Sequence, residues 1–325
     1  AANYYEAFSQ SYHDDPAAQE YQIQALNLYE LMGDVSDAAN IALQMKDIDR
    51  AAQNYLKGGQ WKDLVKIGAT LSGLKGLYYQ GLGLYRQGAK SEGLGLLMRA
   101  TQASPADVNE KVMAAHAGYL VALESFAGFS VIGRASQITP QLIQQKVESL
   151  QKLDQALQVI TALGVGRWTI ASLYLSGRAN TEMAQFFKNG TPPTGLSKDQ
   201  FLKVVGPRIA EFEKAASVHY SNCLQSAEQY EVFTRFVDGC RSLGKIEVSE
   251  SQEVRVVLKA QSRDTVEVQN IRKQLSKDPR SIALLNSLAN EYVKNQDFAA
   301  AFAVFGRMQN IEPRNSSFKS SQGIL

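Results

Sequence analysis

Two segments of the chain, residues 74–107 and residues 282–315, share one spacing of large and small side chains over 34 positions. Both carry large apolar residues at positions 4, 11 and 24, small residues at positions 8 and 20, and proline at position 32. Small residues at two fixed positions let a pair of antiparallel helices approach closely, while the large residues fill the space towards the next pair. The spacing therefore predicts helical hairpins that stack on one another.

The residues that carry this spacing correspond one by one in the two segments. They are Leu77, Gly81, Leu84, Gly93, Leu97 and Pro105 in the first, and Leu285, Ala289, Tyr292, Ala301, Phe305 and Pro313 in the second. Both segments resemble the tetratricopeptide repeat (TPR), and the first departs from it at Gln80, where leucine is usual. The resemblance implies an all-α, TPR-like right-handed α-solenoid of antiparallel helical hairpins, irregular in the middle.

The N-terminal third shows a shorter rhythm, in which three segments begin 13 residues apart, at Asp34, Asp47 and Gln60. Aspartate is favoured at helix N-caps, and glycine at helix C-termini, so Asp34 and Asp47 are predicted to begin helices and the Gly58–Gly59 pair to end one. These signals predict short helices separated by tight turns, paired at their start with a longer helix over residues 17–32.

The pattern divides the chain into three predicted regions. They are N-terminal TPR-like hairpins in residues 1–107, an irregular region of long helices in residues 108–244, and a linker with the C-terminal TPR in residues 245–325. In the middle region, Gly128 and Gly133 are expected to interrupt a long helix. Thr139 before a proline predicts the start of the next helix, and Ser197 with Gln200 forms a capping box.

Residues 206–207 and residues 245–260 each depart from the regular helical pattern. Gly206 and Pro207 are expected to kink the helix that follows the capping box, because proline lacks the N–H that the helix needs. Residues 245–260 are rich in β-branched side chains and partly alternate in polarity. They fit either a strand-like linker or a frayed helix, and we expect a domain boundary there.

The overall charge of the chain argues against nucleic acid as a partner. Its 325 residues carry 34 basic and 32 acidic side chains, a net charge of +2, and no block of like charge. Nucleic-acid-binding domains usually concentrate basic residues on one face. The sequence also shows no uninterrupted apolar run of the roughly 18 residues that a membrane-spanning helix needs, so no transmembrane segment is expected.

Catalytic and metal-binding motifs are not apparent in the sequence. The three histidines, His13, His116 and His219, are far apart and have no cysteine or second histidine at metal-ligand spacing. The glycines near position 83 lack the Gly-Lys-Ser/Thr that follows in a phosphate-binding loop, and Ser72 with Lys75 fits an acyl-enzyme motif without its companions. We therefore expect no enzyme activity and no cofactor; the alternative is an enzyme whose site has no recognised motif.

The TPR resemblance implies where a partner would bind, because first-helix residues line the concave face of such repeats. The corresponding candidates are Lys75, Tyr78, Tyr85 and Arg86 in the first segment and Asn286, Asn290 and Lys294 in the second. Side-chain amides can hold the backbone of an extended peptide, and lysine can hold a carboxylate. Two plainer interpretations remain open: the polar residues form a solvated stripe, and the tyrosines pack against the neighbouring repeat.

Cys223 and Cys240 lie at equal distances from a predicted turn near residues 230–231. Residues equidistant from the turn of an antiparallel hairpin face each other, so a disulfide is geometrically feasible. The alternative is a pair of buried thiols, since unbridged cysteine often behaves as a core residue. A bridge would indicate an oxidising compartment.

Residues 186–240, with a Pro-Pro loop, a long helix and a second helix that bears cysteine, resemble stretches of envelope-associated TPR proteins of gliding or predatory proteobacteria. That resemblance implies a periplasmic or envelope location, with a cytoplasmic one as the alternative. The function expected is a scaffold that binds a protein or peptide, within secretion, motility or surface machinery. The alternative is a regulatory TPR module that controls a partner enzyme such as a cell-wall synthase; self-association into a homo-oligomer is compatible with both.

Overall fold

The computed structural model describes residues 2–12, 15–133, 137–232, 234–248, 265–275, 277–313, 315, 317–318 and 321. These residues form fifteen α-helices and, within the described part of the chain, no strand beyond one isolated bridge between Gln137 and Thr191. The chain divides into two compact units, Ala1–Ala216 and Ser217–Leu325. The predicted all-α fold of helical hairpins is confirmed.

The first unit contains ten complete helices and the beginning of an eleventh. In chain order they are α1 (Ala2–Ser11), α2 (Ala18–Met32), α3 (Val35–Gln44), α4 (Ile48–Gly58), α5 (Trp61–Thr70), α6 (Gly73–Gln87), α7 (Lys90–Gln102), α8 (Val108–Val131), α9 (Pro140–Ala162), α10 (Gly166–Asn189) and α11 (Lys198–Tyr230). Consecutive helices from α1 to α10 pack against each other as hairpins. Contacts also join α6 to α8 and α8 to α10, as expected where hairpins stack.

The hairpin of α6 and α7 depends on two glycines that let the backbones touch. A Cβ atom on Gly81 would lie 3.1 Å from the backbone nitrogen of Leu97, and one on Gly93 would lie 2.6 Å from that of Tyr85. The two residue pairs are centred on the same point of the intervening turn, so the helices are antiparallel. These glycines occupy positions 8 and 20 of the repeat, and their predicted role is confirmed.

The predicted helix starts are visible as capping hydrogen bonds. The carboxylates of Asp34 and Asp47 accept from backbone N–H groups three residues further on, and Gly59 ends α4 in the left-handed conformation. Ser197 and Gln200 cap each other reciprocally: the Gln200 backbone N–H donates to the Ser197 hydroxyl, and the Ser197 N–H donates to the Gln200 side chain. The backbone N–H groups of Ser197 and Gln200, which have no acceptor within the helix, are thereby hydrogen-bonded.

The middle of the chain differs from the prediction at one glycine. Helix α8 continues through Gly128 to Val131, so the expected interruption at Gly128 is wrong. The chain turns at Gly133, which has a φ of +77°. Pro207 lies inside the continuous helix α11. The helix can absorb Gly128 because much of the rest of α8 is buried and its packing outweighs a propensity penalty of about 1 kcal/mol.

One helix, α8, is long and apolar enough to cross a membrane by length and composition alone. About half of it is buried against α6, α7, α9 and α10 of the first unit. The core helix of a stacked-hairpin protein satisfies the same criteria, so α8 gives only weak evidence for a membrane span.

The second unit contains the end of α11 and four further helices. They are α12 (Arg235–Arg241), α13 (Val266–Leu275), α14 (Ile282–Lys294) and α15 (Phe298–Ile311). The core of the C-terminal hairpin includes Leu285, Ala289, Tyr292 and Ala301, which are repeat positions identified from the sequence. Most of the ambiguous stretch 245–260 lies outside the described residues, and the three-region division stays a prediction.

Candidate partner-binding surfaces

In the first unit, polar contacts join successive helices of one layer. We call the helices of this layer the first helices; they are α2, α4, α6, α8 and α10. The Arg50 guanidinium of α4 donates to both carboxylate oxygens of Glu30 on α2, at 2.9 and 2.8 Å. The Asn54 amide donates to the same carboxylate. These hydrogen bonds, chiefly that of Arg50, hold the pKa of Glu30 below its usual range. The pair therefore ties α2 to α4.

Lys75, which the TPR resemblance implied as a partner-binding residue, makes the next link in this layer. Its ammonium group on α6 forms an ion pair with the Asp49 carboxylate on α4. The hydrogen bond to Asp49 raises the pKa of Lys75. An open cleft of about 460 Å³ lies beside the pair, lined also by Lys46, Asp47 and Glu110. Lys75 thus binds a neighbouring helix of its own chain.

Tyr78 is a core residue of the first unit. Its side chain is 5% exposed, and its hydroxyl lies 2.7 Å from Nδ1 of His116 on α8. The His116 ring in turn stacks on Trp168 of α10, with ring centres 4.4 Å apart. This location departs from the concave-face position that the TPR resemblance implied, because α8 covers the tyrosine. Of the two interpretations, packing against the next repeat describes Tyr78.

Tyr85 and Arg86 lie at the other end of α6. The Tyr85 hydroxyl donates to Oε1 of Glu124 on α8 at 2.7 Å, and Lys90 donates to the same oxygen at 2.8 Å. Lys90, and to a lesser degree Tyr85, lowers the pKa of Glu124. The Arg86 guanidinium lies 5.8 Å from the centre of the Tyr85 ring. Both predicted residues are half-buried and engaged within the unit.

The C-terminal candidates have a different environment. Asn286, Asn290 and Lys294 are all exposed, and they lie along α14 opposite its buried face. Among the described residues, neither asparagine side chain has a hydrogen-bond partner. Lys294 forms an exposed ion pair with Glu291 on its own helix, and this hydrogen bond raises the pKa of Lys294. The three residues remain available to a ligand.

Interactions that the sequence did not predict hold α14 and α15 in place. On its buried side, the Tyr292 hydroxyl accepts a hydrogen bond of 2.6 Å from Arg272 of α13. Arg307 of α15 is 4% exposed and pairs with Glu231 at 3.4 Å. Burial lowers the pKa of Arg307, while Glu231 opposes this effect. Glu231 and Arg307 are 76 residues apart, and no spacing rule connects them.

Cys223 of α11 and Cys240 of α12 are joined by a disulfide in the second unit, with a Cα–Cα distance of 6.4 Å. Both side chains are fully buried. The bridge closes the turn that contains Glu231, whose backbone has a φ of +54°. The disulfide and the ion pair between Arg307 and Glu231 therefore both restrain this turn.

Within the described part of the chain, no group of three or more His, Cys, Asp or Glu side chains is placed to hold a metal ion. The candidates that remain exposed, Asn286, Asn290 and Lys294, offer amide and ammonium groups for hydrogen bonds and ion pairs.

Comparisons with known proteins include a likeness to a solved structure. No protein-family model matches the chain, and no curated protein matches it. Among solved structures, the C-terminal part of a TPR repeat-containing protein from Cytophaga hutchinsonii aligns with 92% of this chain and 98% of its own, at 13% identity and a TM-score of 0.28. The stacked hairpins described above, with small residues where paired helices cross, define the fold as TPR-like.

Proposed function

We propose that the chain is a non-catalytic scaffold for protein–protein interaction, and that α14 binds an extended segment of a partner. The observation that supports the proposal is the exposed stripe of Asn286, Asn290 and Lys294 on a helix whose opposite face is firmly packed. TPR-like folds present such first-helix stripes to peptides. The corresponding residues of α6 are engaged within the first unit.

The spacing of the two amides suits an extended peptide. Residues four apart on a helix are separated by roughly 6 Å along its axis. Two residues of an extended chain span roughly 6.7 Å, and alternate residues direct their backbone groups to the same side. Asn286 and Asn290 can thus hydrogen-bond to alternate residues of one strand-like segment, each using an amide that both donates and accepts.

Lys294 supplies the charge at the end of the stripe. Its ion pair with Glu291 is exposed, with 69% of the lysine side chain open to solvent. The Glu291 side chain is only 19% exposed, so it keeps its hydrogen bond, and a ligand carboxylate can accept from the other N–H donors of the Lys294 ammonium group. Glu267 on α13 also lies close enough to influence Lys294. A ligand with a single carboxylate is therefore favoured over a strongly acidic one.

A test of the stripe needs a matched control in the same unit. Partners captured from native extract on the wild-type chain are identified, and their affinities for purified Asn290→Ala/Lys294→Glu protein are then measured. We expect a loss of roughly tenfold or more, as for removal of two polar contacts from a small interface. Asn310→Ala, an exposed asparagine of α15, should bind as wild type does. Equal affinity in the double variant would reject the site.

We also propose a cell-envelope location for the scaffold, within an assembly for secretion, motility or surface structure. The bridge between Cys223 and Cys240 supports an oxidising compartment, since disulfides persist there and are rare in the cytosol. Thiol titration of the protein isolated directly into acid and denaturant tests this. Two reactive thiols per chain would favour the cytoplasm, and none would favour the envelope.

A further inference from the structure

The first three helices carry an unusual charge. Residues 1–45 contain seven acidic side chains and no lysine or arginine; the first basic residue is Lys46. The acidic residues are Glu6, Asp14, Asp15, Glu20, Glu30, Asp34 and Asp37. The chain as a whole is nearly neutral, so this end of the first unit is a distinct acidic region. Only Glu30 among the described members pairs with a basic side chain, Arg50.

An aromatic cluster lies within this acidic region, on α1, the turn after it, and α2. We call Tyr4, Tyr5, Phe8, Tyr12 and Tyr21 the tyrosine face. Tyr21 stacks on Tyr5 with ring centres 5.6 Å apart and meets Phe8 edge-on at 4.6 Å. Phe8 also contacts Tyr12 at 4.7 Å, and Tyr4 contacts Tyr5 at 6.3 Å. The five rings therefore form one continuous group.

The tyrosine face is open to solvent. Tyr4 is 72% exposed and Tyr12 is 58% exposed, and the other three rings are partly exposed. Among the described residues, the hydroxyls of the four tyrosines have no hydrogen-bond partner. Exposed clusters of large rings are a feature of interaction sites.

Carboxylates without cations also lie where α1, α2 and α3 meet. Glu6 accepts a hydrogen bond of 2.8 Å from the Tyr29 hydroxyl. Burial first, and then the like charges of Asp34 and Glu6, raise the pKa of Asp37. None of these three carboxylates pairs with lysine or arginine within the described residues. Like charges held together in this way favour the approach of a cation.

We propose that the tyrosine face, as part of this acidic region, docks a segment of a partner protein that carries arginine or lysine. A guanidinium or ammonium group is attracted to the face of a tyrosine ring within about 6 Å, and arginine stacks on such rings most readily. The surrounding negative charge strengthens this attraction and steers the partner. The aromatic rings and the negative charge thus both favour a cationic ligand.

Charge also argues against two other occupants. A second copy related by a two-fold axis would place the same acidic surface against itself, and like charges across an interface are unfavourable. An anionic membrane surface would be repelled for the same reason. A basic protein segment satisfies both the rings and the carboxylates.

The experiment uses the purified 325-residue chain and three labelled peptides of equal length. One alternates arginine with glycine and serine, the second replaces each arginine with citrulline, and the third replaces each with glutamate. Fluorescence anisotropy should show binding of the arginine peptide alone, weakened as salt rises from about 20 mM to about 300 mM. Equal binding of the arginine and citrulline peptides would overturn the proposal.

Variants of the tyrosine face show how much of the affinity comes from the aromatic rings. Tyr4→Ala/Tyr12→Ala should lower the affinity by roughly fivefold or more, because two cation–π contacts are lost. Tyr4→Phe/Tyr12→Phe keeps both rings and should bind nearly as the wild type does. Tyr230→Ala, which removes an exposed tyrosine of the second unit, should change nothing. Unchanged affinity in the double alanine variant would overturn the proposal.

This inference shares with the proposed function only the premise that the chain binds proteins. Asn290→Ala/Lys294→Glu should leave binding of the arginine peptide intact, and Tyr4→Ala/Tyr12→Ala should leave ligands of α14 unaffected. Failure of one site is therefore distinguishable from failure of the other. Analytical sedimentation over a wide concentration range tests for self-association. If the chain self-associates and Tyr4→Ala/Tyr12→Ala abolishes this, the tyrosine face binds a second copy of the chain and the proposal is overturned.

Discussion

The hydroxyl of Tyr78 on α6 lies 2.7 Å from Nδ1 of His116 on α8, in the core of the first unit. The contact joins helices of two successive hairpins, 38 residues apart in the chain. Both side chains are buried, and a buried polar group left without its hydrogen bond is costly.

Tyr78→Phe removes this hydroxyl and keeps the ring. We expect it to lower the free energy of unfolding by about 1 to 2 kcal/mol, because a buried polar contact is lost without a large cavity. Urea denaturation followed by circular dichroism measures the change. Tyr21→Phe removes a hydroxyl that has no partner among the described residues and serves as the control. Equal stability of both variants would show that the contact with His116 is unimportant.

Gly93→Ala places a methyl group 2.6 Å from the backbone nitrogen of Tyr85, where α6 and α7 cross. The helices must separate, so we expect a loss of about 2 kcal/mol or more in the free energy of unfolding. Gly95→Ala lies on the same helix, and its Cβ meets nothing within 4 Å. It should stabilise the protein by about 0.5 to 1 kcal/mol, through helix propensity. Thermal melts of the two variants that shift in the same direction would contradict the crossing described here.

Lys146 is almost fully buried, and its ammonium group donates to the carbonyl oxygens of Phe129 and Ile132 at 2.9 and 3.0 Å. It also lies 4.3 Å from the centre of the Phe129 ring. The lysine thus satisfies carbonyls at the end of α8. Lys146→Met should lower the free energy of unfolding by about 2 kcal/mol, because both carbonyls lose the charged donor and the Phe129 carbonyl keeps only the backbone N–H of Ile132.

The matched control for this change is Lys152→Met, an exposed lysine on the same helix, α9. It should alter stability by no more than about 0.5 kcal/mol. Amide hydrogen exchange provides a second measurement: Lys146→Met should accelerate exchange in the last turns of α8. Protection there that matches the wild type would contradict the capping role.

Burial raises the pKa of the Asp154 carboxyl on α9 to about 6, and its Oδ1 atom has no partner among the described residues. In the unfolded chain the group ionises near 3.8. Between these values the folded protein holds a proton that the unfolded chain has lost. Stability should therefore fall as the pH rises from about 4 to about 6, with no further change from this group above that.

Asp154→Asn removes this titration. Since the half-buried carboxyl keeps some contact with water, we expect the variant to be more stable than the wild type at pH 8 by about 1 kcal/mol. At pH 4 the two proteins should be nearly equal. Urea unfolding at several pH values measures the difference, and a constant difference across the range would exclude Asp154 as its source.

Local signals predicted local structure well. Gly81 and Gly93 were recognised from their repeat positions, and the capping box of Ser197 and Gln200 from its three-residue spacing. Each depends on atoms a few residues apart, or on a repeat period that recurs, so the sequence carries the information directly. Gly128 shows the limit of this approach, because the packing of α8 outweighs the local preference of one residue.

The candidate site was harder to predict because it depends on which helix covers which face. Tyr78 and Tyr85 lie seven residues apart, and their spacing gave no indication that His116 and Glu124 would bind them. Asn286 and Asn290 have the same kind of spacing but stay exposed. The tyrosine face was missed although its signal was visible: a run of 45 residues rich in tyrosine and acid, without one lysine or arginine.

The polar links between the first helices have a consequence for how the first unit responds to force and heat. Glu30 with Arg50, Asp49 with Lys75, Tyr85 with Glu124, and Ser130 with Glu182 connect each member of the layer to the next. Repeat proteins with weak coupling between neighbours can lose their ends one hairpin at a time. A layer fastened at every junction should instead resist peeling and melt as a single cooperative block.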